Sequence, residues 1–328
     1  MTVFILAGLA GGSATTAASA ADIPLVVAEP VHGTGYLPLY VAIRKGFFKA
    51  DGLDVRVMTV QGGATHTNAV ISKQAFAFIG GPEHDAFAKI KGAELRAVVN
   101  VVDRGNVYYV AKKGLEPKPG QSIGDFFKGK SVAVGFYGST PNSITRYLAA
   151  KWNLTLGKDL ILHEMNNGAE LAALKAGAAD IGVTIEPILT RGVNEGVWNE
   201  PVYNVPKELG PYAYSTLNVR LDSIQNEPKV VAAFVKDVIK GLEFIYAHQD
   251  EAVAIAKLEF PTMSPADLKA TLDRSFADKL WSKDGMVSHE AWTTAQEVVR
   301  TAGLLKQDVP YDDIIDMQFV KAMKASEK

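Results

Sequence analysis

The sequence predicts an α/β protein of two similar lobes, each a mainly parallel sheet flanked by helices, followed by a helical C-terminal segment. Three observations support this fold class. Short apolar runs alternate with helical patterns over residues 24–205, which is typical of β-α-β units. One internal layout occurs twice. Beyond Asn226 the pattern is helical only.

Apolar runs of strand length are interpreted as strands, and the segments of helical period between them as helices. Strands are expected at Pro24–Ala28, Asp54–Val60, Ala75–Ile79, Leu95–Val102, Asn106–Lys112, Ser131–Phe136, Leu160–Met165, Asp180–Ile185 and Val197–Val205. Helices are expected at Leu37–Lys45, Ala64–Ser72, Glu83–Lys91, Pro141–Trp152, Ala169–Ala176, Pro187–Gly196, Glu227–His248, Gln249–Leu258, Pro265–Phe276, His289–Thr301 and Asp312–Ala325. Pro228 and Pro265 occupy first-turn positions, and Ser264 and Ser288 can act as N-caps.

The repeated layout consists of a glycine-alanine pair, a short apolar strand and a proline. Pro82 follows Gly63 by 19 residues, and Pro187 follows Gly168 by the same 19 residues. Two copies imply two similar lobes rather than a solenoid. Because ligands of open parallel sheets bind beyond the carboxyl ends of the strands, facing lobes place both sets of loops in one cleft.

Composition excludes several classes of protein. The 328 residues suggest about two domains. With 48% hydrophobic and 21% charged residues, the chain is of the globular class. The net charge of −2 gives no bulk attraction to nucleic acid. The absence of cysteine excludes disulfides, Cys-ligated metal sites and thiol nucleophiles.

Residues 1–20 are expected to be a secretory signal rather than part of the fold. Val3–Gly11 is apolar, and Ala18-Ser19-Ala20 matches an A-x-A cleavage site, so cleavage is expected after Ala20. The basic residues that usually precede such an apolar core are not found here. The alternative, a short buried helix, is disfavoured by the Gly and Ser content. An exported chain without cysteine suits the bacterial periplasm.

Several motifs in consistent order carry a family resemblance. They are Gly35–Ala42, Lys45–Phe48, Gly52–Val55, Gly129–Val134, and Leu174–Gly182 followed by Glu186-Pro187. The chain resembles the nitrate/sulfonate/taurine and thiamine-pyrimidine (NMT1/THI5-like) group of periplasmic substrate-binding proteins of ABC transporters. The resemblance implies the type II periplasmic binding protein fold and capture of a small polar or heterocyclic organic solute. It also implies delivery to a membrane permease/ATPase complex, without a cofactor.

The lobes are expected to divide the chain unequally. Residues 22–106 with 222–328 would form the first lobe, and residues 107–221 the second. The two crossings between the lobes are placed near Val107–Lys112 and Tyr212–Leu221. The chain is expected to act as a monomer that closes by a hinge on a small molecule.

Candidate ligand-binding residues lie at the predicted strand ends and helix starts. They are Glu29, Tyr36, Gly63, Ala64, His66, Glu83, His84, Tyr108, Ser139, Thr140 and Glu186. The carboxylates would accept hydrogen bonds from the solute, and Glu186, just before Pro187, is the favoured one; pairing with a helix dipole is the alternative. Ser139 and Thr140 would donate, while Tyr36 and Tyr108 would stack or simply pack in the core. Mixed donors and acceptors indicate a solute with both an acidic oxygen and an N–H or O–H.

Other chemistries find less support in the sequence. Gly124–Ser131 matches the P-loop pattern, but the strand follows the motif instead of preceding it. No H-E-x-x-H or G-x-S-x-G occurs, so neither a metal site nor a nucleophile triad is predicted. An enzyme of the thiamine-pyrimidine synthase type is disfavoured, since in the resembling family that activity depends on a cysteine-rich cluster and iron. A ligand-sensing receptor module stays open as an alternative.

Overall fold

The computed structural model describes residues 21–61 and 64–326. The predicted signal segment and Gly63 lie outside the described residues. The strands are β1 (Ile23–Glu29), β2 (Leu53–Thr59), β3 (Ala77–Gly80), β4 (Leu95–Arg104), β5 (Tyr108–Ala111), β6 (Lys130–Gly135), β7 (Leu160–Met165), β8 (Ile181–Thr184), β9 (Tyr203–Asn204) and β10 (Pro211–Arg220).

Helices flank these strands and fill the C-terminal part. They are α1 (Leu37–Arg44), α2 (Phe47–Ala50), α3 (Thr65–Ile71), α4 (Glu83–Ile90), α5 (Ile123–Phe127), α6 (Thr140–Lys151), α7 (Glu170–Lys175), α8 (Ile188–Asn194), α9 (Val205–Leu209), α10 (Leu221–Asn226), α11 (Pro228–Ala247), α12 (Gln249–Glu259), α13 (Pro265–Ala277), α14 (His289–Thr301) and α15 (Gln318–Ser326). Within the described part of the chain, no helix is both long enough and apolar enough to cross a membrane.

Two five-stranded sheets define two lobes with one topology. The sheet of the first lobe has the order β2-β1-β3-β10-β4, and the sheet of the second lobe has the order β7-β6-β8-β5-β9. In each, three consecutive parallel strands lie with the first between the other two, and an antiparallel strand, β10 or β5, extends the sheet. The predicted duplication and the predicted α/β fold class are confirmed.

Strand β10 was not predicted from the apolar pattern. A crossing was expected near Tyr212–Leu221, yet Pro211–Arg220 pairs antiparallel with both β3 and β4 in the first sheet. Its central residues include the buried polar side chains Ser215, Thr216 and Asn218, which weaken the apolar signal of a central strand. Residues 211–220, assigned by prediction to the second lobe, therefore lie in the first lobe's sheet.

The segment before β10 also differs from its predicted form. Of the strand expected at Val197–Val205, Tyr203–Asn204 forms a strand paired with β5, and Trp198 forms an isolated bridge to Lys112. Val205 begins α9, because Pro206 suits a first helical turn and the Asn204 side chain accepts a hydrogen bond from the Lys207 N–H. The chain thus crosses between the sheets at residues 105–107 and returns at Gly210.

The long helix α11 joins the C-terminal helices to the first sheet. Its apolar face packs against α1 and β4, and a Cβ at Gly241 would stand only 2.2 Å from the Pro38 carbonyl oxygen. Glycine there lets the two helix backbones approach closely. All five predicted C-terminal helices are present, although α15 starts only at Gln318, after a 3-10 turn at Tyr311–Asp313.

Asp237 gives α11 a titratable group in the core. Its side chain is fully buried, and Oδ1 accepts a hydrogen bond from Lys240 Nζ at 2.9 Å. Burial, assisted by the nearby Asp51 carboxylate, raises the pKa of Asp237 to about 6. The folded chain therefore holds this proton more tightly than the unfolded chain, where an Asp titrates near about 4.

The sign of the resulting pH dependence follows from linkage. The contribution of Asp237 to stability is complete below about pH 4 and is lost as the pH rises through about 6. We expect Asp237→Asn to raise the free energy of unfolding at neutral pH by about 2 kcal/mol and to flatten its pH dependence. Urea denaturation at several pH values measures both. Asp273→Asn on the exposed side of α13 is the control, and an unaltered pH profile in Asp237→Asn would contradict the prediction.

Candidate functional site

A cavity of about 50 Å³ lies between the two lobes, beyond the carboxyl ends of the parallel strands. Both lobes contribute to its wall, through the loops that follow β1, β3, β6 and β8, through α3 and through β10. The polar side chains that line it are Tyr36, His66, His84, Asn106, Ser139, Thr140, Asn167, Glu170, Tyr214 and Ser215. This is the cleft location that the duplicated layout predicted.

Five of the predicted ligand-binding residues line the cavity. The first lobe supplies Tyr36 from the loop after β1, His66 from α3 and His84 from α4. The second lobe supplies Ser139 and Thr140 at the start of α6. Whether they bind a solute stays a prediction.

Glu29, Tyr108 and Glu186 were also predicted to contact a ligand, and the structure does not bring them to the cavity wall. Glu29 accepts hydrogen bonds from Tyr40 at 2.5 Å and Thr59 at 2.7 Å. The Tyr108 hydroxyl donates to Asp278 at 2.8 Å. All three predicted residues are buried and point into the protein. Ala64 lies at the start of α3 and does not line the cavity either.

Glu186 turns away from the cavity because its carboxylate folds onto α8 and α13. It accepts hydrogen bonds from the backbone N–H of Thr190 at 3.1 Å and from the Thr190 hydroxyl at 2.8 Å. Arg274 of α13 donates to it from Nε at 2.9 Å. Burial raises the pKa of Glu186, while Thr190 and Arg274 counteract that rise. The favoured solute acceptor of the sequence analysis thus joins the two lobes instead.

Glu83 lies directly behind the cavity wall. Its Oε1 accepts a hydrogen bond from the Thr140 hydroxyl of the other lobe at 2.6 Å, while Oε2 has no partner among the described residues. Burial raises the pKa of Glu83. A Cβ at Gly81, which lines the cavity, would stand 2.0 Å from Oε2. Glycine at position 81 therefore leaves this oxygen the space it occupies beside the cavity.

His66 presents a neutral imidazole to the cavity. The ring is fully buried, and in the described part of the chain neither nitrogen has a hydrogen-bond partner. Burial holds the pKa of His66 well below its usual range, and the neighbouring His84 lowers it further. A neutral imidazole offers one donor and one acceptor. His66 can therefore bind either kind of group.

His84 touches both lobes. Its Nδ1 lies 3.0 Å from the Gly81 carbonyl oxygen, and its Nε2 lies 3.1 Å from the carbonyl oxygen of Gly138 in the second lobe. The ring packs at 4.7 Å from the ring of His66, centroid to centroid. Across residues 21–61 and 64–326, no group of three or more His, Asp or Glu side chains is placed to hold a metal ion.

Several residues that line the cavity were not predicted from the sequence. Ser215 lies on β10, the strand that was missed, and Asn106 lies in the first crossing between the sheets. Asn166 and Asn167 form an asparagine pair directly before Gly168, and that pair could have indicated the turn. Glu170 accepts hydrogen bonds from the Thr184 hydroxyl at 2.7 Å and the Gly168 N–H at 2.8 Å, and burial raises its pKa.

The side chains of the wall determine the electrostatic character of the cavity. None of the described lining residues is Lys or Arg. The wall contains one carboxyl, that of Glu170, and the carboxyl of Glu83 lies just behind it. Hydroxyl, amide and imidazole groups complete the polar surface. Such a site has hydrogen-bonding capacity on both lobes, and the described lining residues include no Lys or Arg to pair with a bound anion.

Two lobes of this topology, with a cleft at the facing strand ends, have the fold of type II periplasmic binding proteins. The family model described as "NMT1/THI5 like" matches residues 34–252. The chain belongs to the NMT1/THI5-like family. The family resemblance expected from the sequence motifs is confirmed.

Individual proteins are similar over most of the chain. YtlA of Bacillus subtilis (strain 168) is 25% identical over 307 residues, which cover 92% of this chain and 90% of YtlA. The 4-amino-5-hydroxymethyl-2-methylpyrimidine phosphate synthase of Uromyces fabae is 23% identical, covering 84% of this chain and 82% of the synthase. The solved structure of the periplasmic nitrate-binding protein NrtA from Synechocystis PCC 6803 superimposes with a TM-score of 0.73 at 16% identity, covering 93% of this chain and 89% of NrtA. The last similarity concerns the fold alone.

Proposed function

We propose that this protein is a periplasmic solute-binding protein of an ABC importer, which closes its two lobes on a small polar or heterocyclic organic molecule without net negative charge. One observation carries the proposal. Buried polar groups from both lobes converge on the inter-lobe cavity, and the side chains of His66 and Ser139 have no hydrogen-bond partner in the described chain. Buried polar groups cost free energy unless they are paired, so a solute that pairs them is stabilised there.

Contacts across the cavity support capture by closure. Thr140 of the second lobe donates to Glu83 of the first, and His84 of the first lobe reaches the Gly138 carbonyl of the second. At the other side of the cavity, the Thr34 N–H donates to the Glu186 carbonyl oxygen at 3.3 Å. A solute touching both lobes binds the closed form better than the open form and shifts the population toward it.

The charge of the lining supports the class of solute. A fully charged anion would enter a site without Lys or Arg and close to two carboxyls, at a large desolvation cost. A solute N–H or O–H, in contrast, can donate to an imidazole nitrogen of His66. The nitrate named for NrtA therefore differs in charge from the solute proposed here.

The size of the cavity supports a small solute. The cavity measures about 50 Å³ and is bounded by both lobes, so it suits a small molecule rather than an extended one. A molecule of few heavy atoms, or a single small ring with slight opening of the lobes, fits this space. We infer binding without turnover, since the chain has no cysteine for the cluster on which the family's synthase activity is understood to depend.

Mass spectrometry of the solute that co-purifies with the exported protein tests this function. We expect a neutral or cationic molecule with an N–H or O–H donor, bound without chemical change. Added back at about 100 times its Kd, it should contribute about 2.7 kcal/mol and raise the melting temperature by several degrees. Nitrate and ethanesulfonate are the anionic controls and should leave the melting temperature unchanged.

Three results would contradict the proposal. They are co-purification of an anion, thermal stabilisation by the anionic controls, and conversion of the solute to a product. N-terminal sequencing of the exported material gives an independent check on localisation, because cleavage near Ala20 should yield a chain that begins at or near Ala21.

A further inference from the structure

The imidazole of His84 makes a contact that only its doubly protonated form satisfies. Its two nitrogens face the carbonyl oxygens of Gly81 and Gly138, at 3.0 and 3.1 Å. A carbonyl oxygen accepts hydrogen bonds and cannot donate them. A neutral imidazole has one N–H, so one of its contacts would set a ring lone pair against a carbonyl lone pair. Both hydrogen bonds form together only when both nitrogens carry protons.

The two carbonyls belong to different lobes. Gly81 lies between β3 and α4 in the first lobe, and Gly138 lies between β6 and α6 in the second. The Nδ1 contact is local to the first lobe, whereas the Nε2 contact exists only while the lobes are closed. His84 is buried in this state, so opening the lobes also changes its exposure to water.

We propose that His84 is a positioning residue which couples cleft closure to uptake of one proton, so that the closed form is favoured as the pH falls. The inference rests on the proposed function in one respect, namely that closure of the two lobes is the step that binds the solute. It predicts that solute affinity in this protein declines with rising pH even for a solute that does not itself titrate.

The groups around His84 are compatible with a proton on its ring. On α4 itself, Glu83 Oε1 lies 3.7 Å from Nδ1, and an ionised Glu83 would stabilise the cation. From α3, His66 stays neutral and adds no charge. The other titratable groups that interact with Glu83 or its neighbour Asp85 are Tyr36, Arg96, Tyr212 and Tyr214. Burial raises the pKa of all three tyrosines, which therefore remain uncharged.

The size of the effect is bounded by linkage. Uptake of one proton changes the ratio of closed to open molecules by at most tenfold per pH unit. Histidine in water titrates at about 6.5, so the response is expected between mildly acidic and mildly alkaline pH.

A distance measurement between the lobes tests the proposal without any solute. The chain has no native cysteine, so Gln74→Cys and Ala178→Cys can each carry one spin label. Both positions are exposed and lie at corresponding places in the two repeats, before β3 and before β8. The protein is dialysed free of bound solute, and the label distances are compared at about pH 5.5 and about pH 8.5.

We expect the short-distance population of the labelled parent protein to dominate at the lower pH. The ratio of short to long distances should rise by about tenfold or more between the two conditions. His84→Gln keeps a side chain that can donate but cannot titrate, and it should abolish the pH response. His163→Gln, at an exposed histidine of β7, is the matched control and should retain it.

Three outcomes overturn the proposal. The first is one distance distribution at both pH values in the labelled parent protein. The second is an undiminished pH response in His84→Gln. The third is a response that His66→Gln removes and His84→Gln retains, which would assign the proton to His66. None of these depends on solute binding, so a failed search for the solute and a failed closure test are separate results.

Discussion

Replacing Arg274 by Met is expected to lower the free energy of unfolding by about 3–5 kcal/mol, because it leaves the Glu186 carboxylate buried without its cation. Arg274 Nε donates to Glu186 Oε1 at 2.9 Å, and its terminal nitrogens contact the exposed Glu200 at 2.5 and 3.1 Å. Glu186 belongs to the second lobe and Arg274 to α13 of the first. Urea denaturation at neutral pH measures the loss.

Two further variants distinguish the stability contributed by the buried Arg274–Glu186 pair from that of the exposed Arg274–Glu200 pair. Glu200→Gln removes only the exposed contact and should change stability by less than about 1 kcal/mol. Glu186→Gln, introduced together with Arg274→Met, replaces the unpaired charge by a neutral amide and should restore much of the lost stability. If Arg274→Met unfolds at the same urea concentration as the parent protein, the pair contributes nothing and this account of Glu186 is wrong.

The pH dependence of the same variant has a definite sign. Burial already raises the pKa of Glu186, and loss of Arg274 removes one of the groups that counteract the rise. A carboxyl whose pKa is higher in the folded state stabilises the fold at low pH and loses that contribution as the pH rises. The deficit of Arg274→Met should therefore shrink as the pH is lowered toward about 4, where Glu titrates in the unfolded chain.

Glu186 marks a limit of prediction from sequence. Its place at the end of β8, just before Pro187, could be predicted because strand ends follow from the apolar pattern. The direction of its side chain could not, since that depends on Arg274, 88 residues further along the chain. Tyr108 is a similar case, because its partner Asp278 lies 170 residues away. Local periodicity carries no information on such pairs.

The duplicated layout predicted more of the fold and of the site than the individual candidate residues did. Spacing between Gly, Ala and Pro identified two copies of one unit, and these became the β1-β2-β3 and β6-β7-β8 parts of the sheets. Loops at corresponding strand ends then had to face each other, which placed His66, His84, Ser139 and Thr140 at the cavity. β10 lies outside the repeated units, so repetition could not reveal it or its cavity residue Ser215.

The wall of the cavity depends on the C-terminal segment through Trp281. This side chain is 2% exposed, and its Nε1 donates to the Gly35 carbonyl oxygen at 3.0 Å. Its ring meets the ring of Phe276 edge-on, with the centroids 4.9 Å apart. Gly35 and Tyr36 line the cavity, so Trp281 holds one side of the site from behind.

Replacing Trp281 by Ala is accordingly expected to cost about 3–5 kcal/mol of folding free energy, from lost burial and the cavity left behind. Trp281→Phe keeps an aromatic ring and loses the N–H, so it should cost less and still leave a folded protein whose Gly35 carbonyl lacks its donor. In that variant the thermal shift produced by the co-purified solute should fall below that of the parent protein, since the Gly35–Tyr36 wall is no longer held.

Urea denaturation and thermal titration of both variants measure these effects. Parent-like stability in Trp281→Ala would refute the core role, and a parent-like thermal shift in Trp281→Phe would show that the hydrogen bond to Gly35 does not shape the site.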